Sequence, residues 1–443
     1  MTSPREFTIV GAGLGGTLMA LYLARAGHKV WVYERRSDPR AAGAAGGRSI
    51  NLAISTRGIH ALRGVGLADT VLDQAIAMRG RMIHAPAGHL ALQPYGTRPQ
   101  DVINSVSRSG LNALLLDHAE RHEGVHVCFD MKLTDVSLDD GFLTFEDTRN
   151  GRTLSVESEV IVGADGAYSS VRGAMQRLDR FDYQQSYLEY GYKELSVPPA
   201  GGGGFRMEPH ALHIWPRGGY MMIALPNRDG SFTCTLFWPF DGPTSFAAVP
   251  DGAAAVRFFG QQFPDAVALI PTLREDFDQN PTSSLVTIRS GPWYHRDRAV
   301  LLGDACHAVV PFYGQGANAA FEDCTILAAC LHEAGPDVEA AFRAYYDRRK
   351  ADVDALADLA IANFREMRDH VGSRWFRVGK HVEKGIHRLF PKTFVPLYTM
   401  VTFSRTPYAQ AVRRARRQWD AVKAAGVALL LILLALILGW VWS

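Results

Sequence analysis

The sequence predicts an α/β chain in which an antiparallel sheet is inserted into a parallel one, followed by a helical region and one membrane-spanning helix at the C-terminal end. Three observations lead there. Over residues 7–35 an apolar strand, a glycine turn, an apolar helix and a second strand follow in order. Over residues 211–240 the apolar pattern changes to short aromatic and β-branched runs split by "PRGG" and "NRDG", the mark of an antiparallel meander. Residues 424–443 carry no charge at all.

Composition sets the outer limits. The chain has 443 residues, 47% apolar and 21% charged, enough for two or three ordinary globular domains. Its 47 Lys and Arg against 45 Asp and Glu leave a net charge of +2. Scattered as they are, these charges argue against a nucleic-acid partner. Five cysteines, an odd number with no C-x-x-C spacing, argue against a disulfide framework and a zinc site and suggest a reducing compartment. Cys306 beside His307 reads as a loop thiol, and no metal site is expected.

The first residues, "MTSPREFTIVGAGLGG", enter a strand without a cationic region or a long apolar stretch, so no secretory leader is expected. Gly11, Gly13 and Gly16 then supply G-x-G-x-x-G: a tight turn, close backbone approach to a pyrophosphate, and close packing of helix on strand. Leu14 within that turn is a further candidate cofactor contact, and the free N–H groups at the N-terminus of the following helix favour an anion. Glu34 ends the second strand eighteen residues after Gly16, where its carboxylate can accept from ribose hydroxyls. This is a Rossmann-type unit.

Two later stretches choose the dinucleotide. "EVIVGADGAYSSVRGAM" (159–175) is a strand ending in Asp165 and Gly166, followed by Ser169, Val171 and Arg172. "AVLLGDACHAVVPFYGQGANAAFEDC" (299–324) is a strand ending at Asp304, then a proline and glycines, then a helix without an N-cap side chain. A simple dehydrogenase has no use for three dinucleotide-facing strand ends spaced about 150 residues apart, whereas one long, extended FAD does. Arg172 is left facing FAD, a nicotinamide cofactor or neither. In the 211–240 meander both alternating sets are largely apolar, so both faces are expected to be covered. One face, with Leu212, Ile214, Ile223, Leu225, Thr235 and Phe237, is a candidate cavity wall. "GGGG" at 201–204 reads as a loop.

The uncharged tail contains "VALLLILLALILGWVW", and twenty helical residues span about 30 Å, one bilayer core. Leu and Ile on every face leave no side for water. Trp440 and Trp442 fall where an interfacial belt lies. Just before, "RRARRQWDAVK" sets Arg413, Arg414, Arg416, Arg417 and Lys423 against Asp420. A single-pass helix is expected, with the preceding body on the cytoplasmic side.

The three strand ends together resemble the FAD-dependent aromatic hydroxylases, the group A flavoprotein monooxygenases. The resemblance implies that Asp304 contacts the ribityl chain and that 304–318, with Pro311, Gly314, Gly316 and Asn318, wraps the isoalloxazine. Arg35, Arg108 and Asp165 are further candidate cofactor contacts. Within that class "GRSINLAIS" (47–55), "MRGRM" (78–82), "QPYG" (93–96), "GYKEL" (191–195), "HIWPRG" (213–218), "VPFYGQG" (310–316) and "MVTFSRTPYA" (400–409) are similar to phrases of its kynurenine-hydroxylating members, and the similarity runs over about 7–411. That likeness implies L-kynurenine as substrate, 3-hydroxykynurenine as product, and tryptophan degradation as the setting. It also implies a carboxylate clamp of Arg81, Tyr95 and Tyr398, with Asn363 near the amino-acid end and Phe312, Tyr313 and Gln315 in the roof. Arg forks onto a carboxylate bidentately; Arg79, two residues away, is an alternative to Arg81.

Family chemistry uses NADPH as a transient reductant and O2 as oxidant, with oxygen passing through a C4a-hydroperoxyflavin. The aniline nitrogen already activates the ring, so no catalytic side chain is expected. Ala317 stands where the family often has Met, and Tyr313 occupies a variable position. The expected parts are 1–178 and 291–335 for FAD, 179–290 for the inserted sheet with help from 78–110, 336–423 for helices closing the site, and 424–442 for the span. Two other readings are a membrane-associated hydroxylase of another aromatic acid or quinone precursor, and a non-enzymatic membrane flavoprotein that senses redox state.

Overall fold

The computed structural model describes residues 4–41, 51–96, 98–370 and 374–441. Residues 47–50 of "GRSINLAIS" and Trp442 of the apolar tail therefore lie outside the described residues. A six-stranded sheet runs in the order Tyr294–His295, Ala299–Leu301, Val160–Gly163, Glu6–Val10, Lys29–Tyr33, Val125–Cys128. All neighbours are parallel except the Tyr294–His295 edge. Glu6–Val10 reads EFTIV with its last four residues buried, the continuous apolar pattern of a strand covered on both faces.

The register explains the motif spacing. Val10 pairs with Gly163, and Gly163 with Leu301, so the three strand ends stand side by side at one level. This is the carboxyl edge of an open α/β sheet, where such folds bind ligands. Close approach accounts for two of the glycines. A Cβ on Gly11, at φ +104°, would come within 2.6 Å of the Ala164 carbonyl oxygen, and one on Gly16 within 2.0 Å of the Gly11 oxygen.

A seven-stranded sheet is ordered Ser283–Gly291, Asp182–Val197, Phe232–Pro239, Met221–Pro226, Ala211–Pro216, Gly80–His84, Leu90–Pro94. The 211–240 stretch supplies its three central antiparallel strands. Residues 80–94 add a hairpin from the N-terminal part, with Arg81 paired to Leu212. Alternation divides the sheet. Trp215, Met222, Leu236 and Trp238 pack on helices Gly252–Gln262, Pro264–Val267 and Leu273–Gln279. Ile214, Phe237, Leu212 and Ile223 face the other way, toward the 310–313 loop and the C-terminal helices. Both faces are covered, as their composition indicates.

Helices Gly316–Ala334 and Val338–Arg365 lie against each other around a buried charge network. Arg349, fully buried, donates from Nε to Asp323 Oδ1 (2.7 Å) and from Nη1 to Glu322 Oε2 (2.6 Å). Asp323 Oδ2 meets His307 Nε2 at 2.6 Å and accepts from the Gly303 N–H at 3.2 Å. Burial alone would lower the His307 pKa, but the Asp323 carboxylate beside it raises it above its ordinary value. Arg57 pairs with Glu322 and donates to the Thr406 carbonyl, with its guanidinium 4.0 Å from the Tyr408 ring centre.

Removing one partner from a buried ion network costs about 3–5 kcal/mol, because the remaining charges lose compensation. Arg349→Met is therefore expected to lower the urea midpoint of the protein markedly and to loosen the Gly303 turn. A midpoint equal to that of the unaltered chain would show that water or rearrangement satisfies Glu322 and Asp323.

Candidate functional site

The cleft at the three strand ends is built to take an anion at one end. Helix Leu14–Arg25 starts with Gly13 as N-cap and no side-chain cap, so its first N–H groups remain available. A Cβ on Gly13 would meet nothing within 4 Å: the space in front of it is open. Leu14 forms the first residue of that helix, half-buried. Glu34 stands beside the turn, accepting from the Ala12 N–H at 2.9 Å and the Arg36 N–H at 3.0 Å. Arg35 is exposed at the end of its strand.

Asp304 is exposed although protein surrounds it, which places its carboxylate on the wall of an internal cleft. Burial raises its pKa, partly offset by His307 and by Arg108; Arg108, exposed at the start of helix Arg108–Ala119, thus faces it. The glycine turn and the late loop meet, since a Cβ on Gly15 would lie 3.0 Å from Leu302 and 3.7 Å from Ala320. An open cradle at Gly13, an uncapped helix N-terminus and an acid on the cleft wall fit an extended flavin dinucleotide.

Several candidates have side chains engaged elsewhere. Asp165 caps the next helix, accepting from Ser169 Oγ and from the Ser170 N–H at 2.6 Å. Arg172 donates at 2.7 Å to both Ala167 O and Ala305 O, tying the 165–172 turn to the late loop. Its guanidinium faces backbone carbonyls. Gln315 is held by Tyr408 Oη (3.0 Å) and Ser55 Oγ (3.1 Å). Asn318 accepts from the Ser55 N–H and donates to Ala53 O and Gly314 O. These four shape the cleft through the backbone they fix, and helix Gly316–Ala334 begins without a side-chain cap. Pro311 is exposed, while Gly314 and Ala317 are half-buried.

Alternation along Gly80–His84 turns Arg81 toward the Leu212 face of the sheet. The Arg81 guanidinium carbon lies 4.9 Å from the Tyr398 ring centre and 6.0 Å from that of Tyr95; the two rings stack at 5.8 Å. Arg79 is exposed and uses its backbone to bond His210 and Tyr95, so only Arg81 of the two stands between the tyrosines. Burial raises the Tyr95 and Tyr398 phenols, which keeps them neutral donors at physiological pH. Arg81 Nε, Tyr95 Oη, Thr235 Oγ1 and Thr402 Oγ1 are buried without a hydrogen-bond partner. Such groups are rare because leaving one unpaired is costly.

Apolar side chains surround this cluster. Leu212, Ile223 and Leu225 pack with Tyr95 and Tyr398. Thr235 pairs with Ile223 across the strands, and Phe237 lies 4.8 Å from Phe312. Phe312 stacks on Phe364 at 4.1 Å, and Tyr313 on Tyr398 at 5.5 Å. Asn363 donates to the Phe312 carbonyl at 2.6 Å, holding the roof.

Glu366 is a site residue that the sequence reading did not single out. It opens the π-turn Glu366–His370 directly after helix Val338–Arg365. Burial pulls the Arg81 guanidinium down, yet Tyr398, Tyr95 and Glu366 hold it raised. The Glu366 carboxylate therefore lies near enough to the clamp for its charge to act on Arg81. The available signal was the three-residue spacing from Asn363, which puts both on one helical side.

The FAD binding domain family profile matches residues 6–189 and 286–360. Kynurenine 3-monooxygenase of Myxococcus xanthus is 50% identical over 91% of this chain and 87% of the relative. That of Salinispora tropica is 48% identical over 96% and 94%, and that of Stenotrophomonas maltophilia 47% over 95% and 92%. Among solved structures, tetrameric 2-methyl-3-hydroxypyridine-5-carboxylic acid oxygenase superposes with a TM-score of 0.68 at 21% identity, covering 84% of this chain and 94% of that one. PqsL of Pseudomonas aeruginosa superposes at 0.67 and 21%, covering 86% and 100%. These two likenesses carry the fold, and the sequence relatives carry the membership: the chain belongs to the kynurenine 3-monooxygenase family of FAD-binding proteins.

Proposed function

We propose that the protein hydroxylates L-kynurenine to 3-hydroxykynurenine, consuming NADPH and O2 with FAD as cofactor. The observation that carries this is the pair of buried, unpartnered donors, Arg81 Nε and Tyr95 Oη, at the edge of an apolar wall. They suit a carboxylate on an otherwise apolar aromatic molecule, since charge-assisted bonds are strongest where water is excluded. Glu366 lies near the same point and gives the α-ammonium an acceptor. The aniline ring then lies along Leu212, Ile223, Leu225 and Phe237, under Phe312 and Tyr313.

Bound FAD, reduced by NADPH, supplies the activated oxygen. Gly13 and the Leu14 helix would hold its pyrophosphate, Glu34 its ribose, and Asp304 its ribityl chain. The aromatic amine already donates electrons to the ortho carbon, so no side chain has to remove a proton before transfer. The residues work by alignment and exclusion of water: Arg81 and Tyr95 fix one end of the substrate, and the Phe312–Phe364 and Tyr313–Tyr398 stacks close the roof.

We further propose that the end of helix Tyr408–Val441 spans a membrane with the body on the cytoplasmic side. It has a mean hydropathy of 2.7 over its most apolar window, none of which is buried, and Leu430 and Trp440 are 67% and 81% exposed.

The proposed reaction is tested by NADPH consumption with and without L-kynurenine, with the product identified by mass. Substrate-independent consumption and no product of added oxygen mass would overturn it. Arg81→Ala should raise the KM for kynurenine by about 30- to 1000-fold, the loss expected for a charge-assisted pair in a desolvated site, with flavin content unchanged. An unaltered KM removes Arg81 from the clamp. Asp304→Ala should purify pale, because an acceptor for the cofactor on the cleft wall is lost; a fully yellow, normally active variant would restrict Asp304 to shaping the turn. Full-length protein should stay in membranes through carbonate at high salt, conditions that strip a purely electrostatic contact. Its release would sink the span.

A further inference from the structure

Beside the proposed span, and resting on that reading, lies a groove of about 700 Å³, a size typical of pockets for organic ligands. Helix Arg374–Leu389 and the turn after it form one wall, helix Tyr408–Val441 the other. The floor is apolar, with Ile386, Phe390, Phe394, Val422 and Ala425. Arg413, Arg414 and Arg417 line the same groove. Arg414 donates to the Lys392 carbonyl at 3.1 Å, and among the described residues no carboxylate forms an ion pair with any of the three arginines. Ala425 already belongs to the uncharged stretch that begins at Ala424. The groove therefore runs from the basic belt into the level where hydrocarbon begins. At the end of helix Arg374–Leu389, Leu389 and Phe390 are 75% and 59% exposed, as in an amphipathic segment resting in a membrane interface.

We propose that this groove binds one anionic phospholipid, with an acyl chain between the two helices and the phosphate on Arg413, Arg414 and Arg417. Charge complementarity selects the ligand. Three exposed guanidiniums without a carboxylate partner among the described residues attract an anion, and the apolar floor that continues from them suits hydrocarbon. Only a molecule carrying both satisfies the two at once. A free phosphate leaves the floor wet, and a zwitterionic lipid brings its own cation to the arginines.

The test uses full-length protein in detergent, titrated with dioleoylphosphatidylglycerol or dioleoylphosphatidylcholine and read by native mass spectrometry. One phosphatidylglycerol adduct should persist where phosphatidylcholine dissociates. Arg413→Gln with Arg417→Gln should weaken that adduct about 30-fold. Ala421→Phe, which keeps every charge and fills the groove, should abolish it, with circular dichroism confirming that both variants are folded. Equal binding of the two lipids overturns the site. So does full phosphatidylglycerol binding in Ala421→Phe, which would mean a basic patch alone, or a dimer lost in Ala421→Phe with no lipid adduct, which would mean a second copy in the groove. Carbonate extraction of the same protein reads the span separately: retention without lipid preference loses the site and keeps the span, and release loses the span.

Discussion

Glu322 and Asp323, neighbours in sequence, both sit inside the protein with Arg349 held between them. Few arrangements constrain a fold more. Asp323 is fully buried and Glu322 largely so, and the charges they share with Arg349 hold the elements that touch the trio in register. The trio joins the Gly303 turn through Asp323, the helix after Ser55 through Arg57, and the entry to the last helix through Thr406 and Tyr408. The internal cleft beside Asp304 exists because this network sets the backbone on which it hangs. An apolar core of the same volume could be as stable, since desolvation consumes much of the Coulombic gain. What the ions add is directional: fixed donor and acceptor angles that apolar packing lacks.

The inserted sheet is pinned by a polar chain on the side away from the substrate wall. Asp265 Oδ2 meets His84 Nδ1 at 2.7 Å, His84 Nε2 meets His213 Nδ1 at 2.8 Å, and His213 Nε2 bonds the Glu208 carbonyl at 2.9 Å. His84 and Arg81 lie three residues apart on one strand and so face opposite ways. A slip of one residue would bury Arg81 against tryptophans and expel His84 from its partners. The relay thus holds the register that aims the clamp, although none of its members approaches the substrate wall.

Much of this was legible in the sequence because it is written in local geometry. Glycines at Gly11 and Gly16 are demanded by contacts with no room for a Cβ, and the three strand ends carry turn residues at fixed offsets. The 211–240 meander announces itself by its punctuation. Less legible was everything that depends on what a polar side chain meets across the fold. Asp165 and Asn318 stand where a cofactor contact is expected and Gln315 where the substrate roof is, yet their side chains bond protein partners. Glu322 and Asp323 carry no signal of burial in the sequence, since an acidic pair is usually solvated. Glu366 opens a π-turn, and its three-residue spacing from Asn363 points to it only once Asn363 itself is placed at the site. Helices Gly252–Gln262 and Leu273–Gln279 escape for a plainer reason: period changes locate the sheet but say nothing of what covers it.

Helix Tyr408–Val441 is one unbroken element of 34 residues with no proline. At its first residue Tyr408 is fully buried and bonded to Gln315, while Ala409 donates to Asp352 at 3.0 Å. From Tyr408 to the start of the uncharged stretch the helix rises about 24 Å. It is thus a strut, without the slack of a tether. A tilt at its far end turns the near end by the same angle, and the near end is bolted to the loop that roofs the cleft. The height and heading of the cleft relative to that apolar end are properties of the fold, set once the chain has folded.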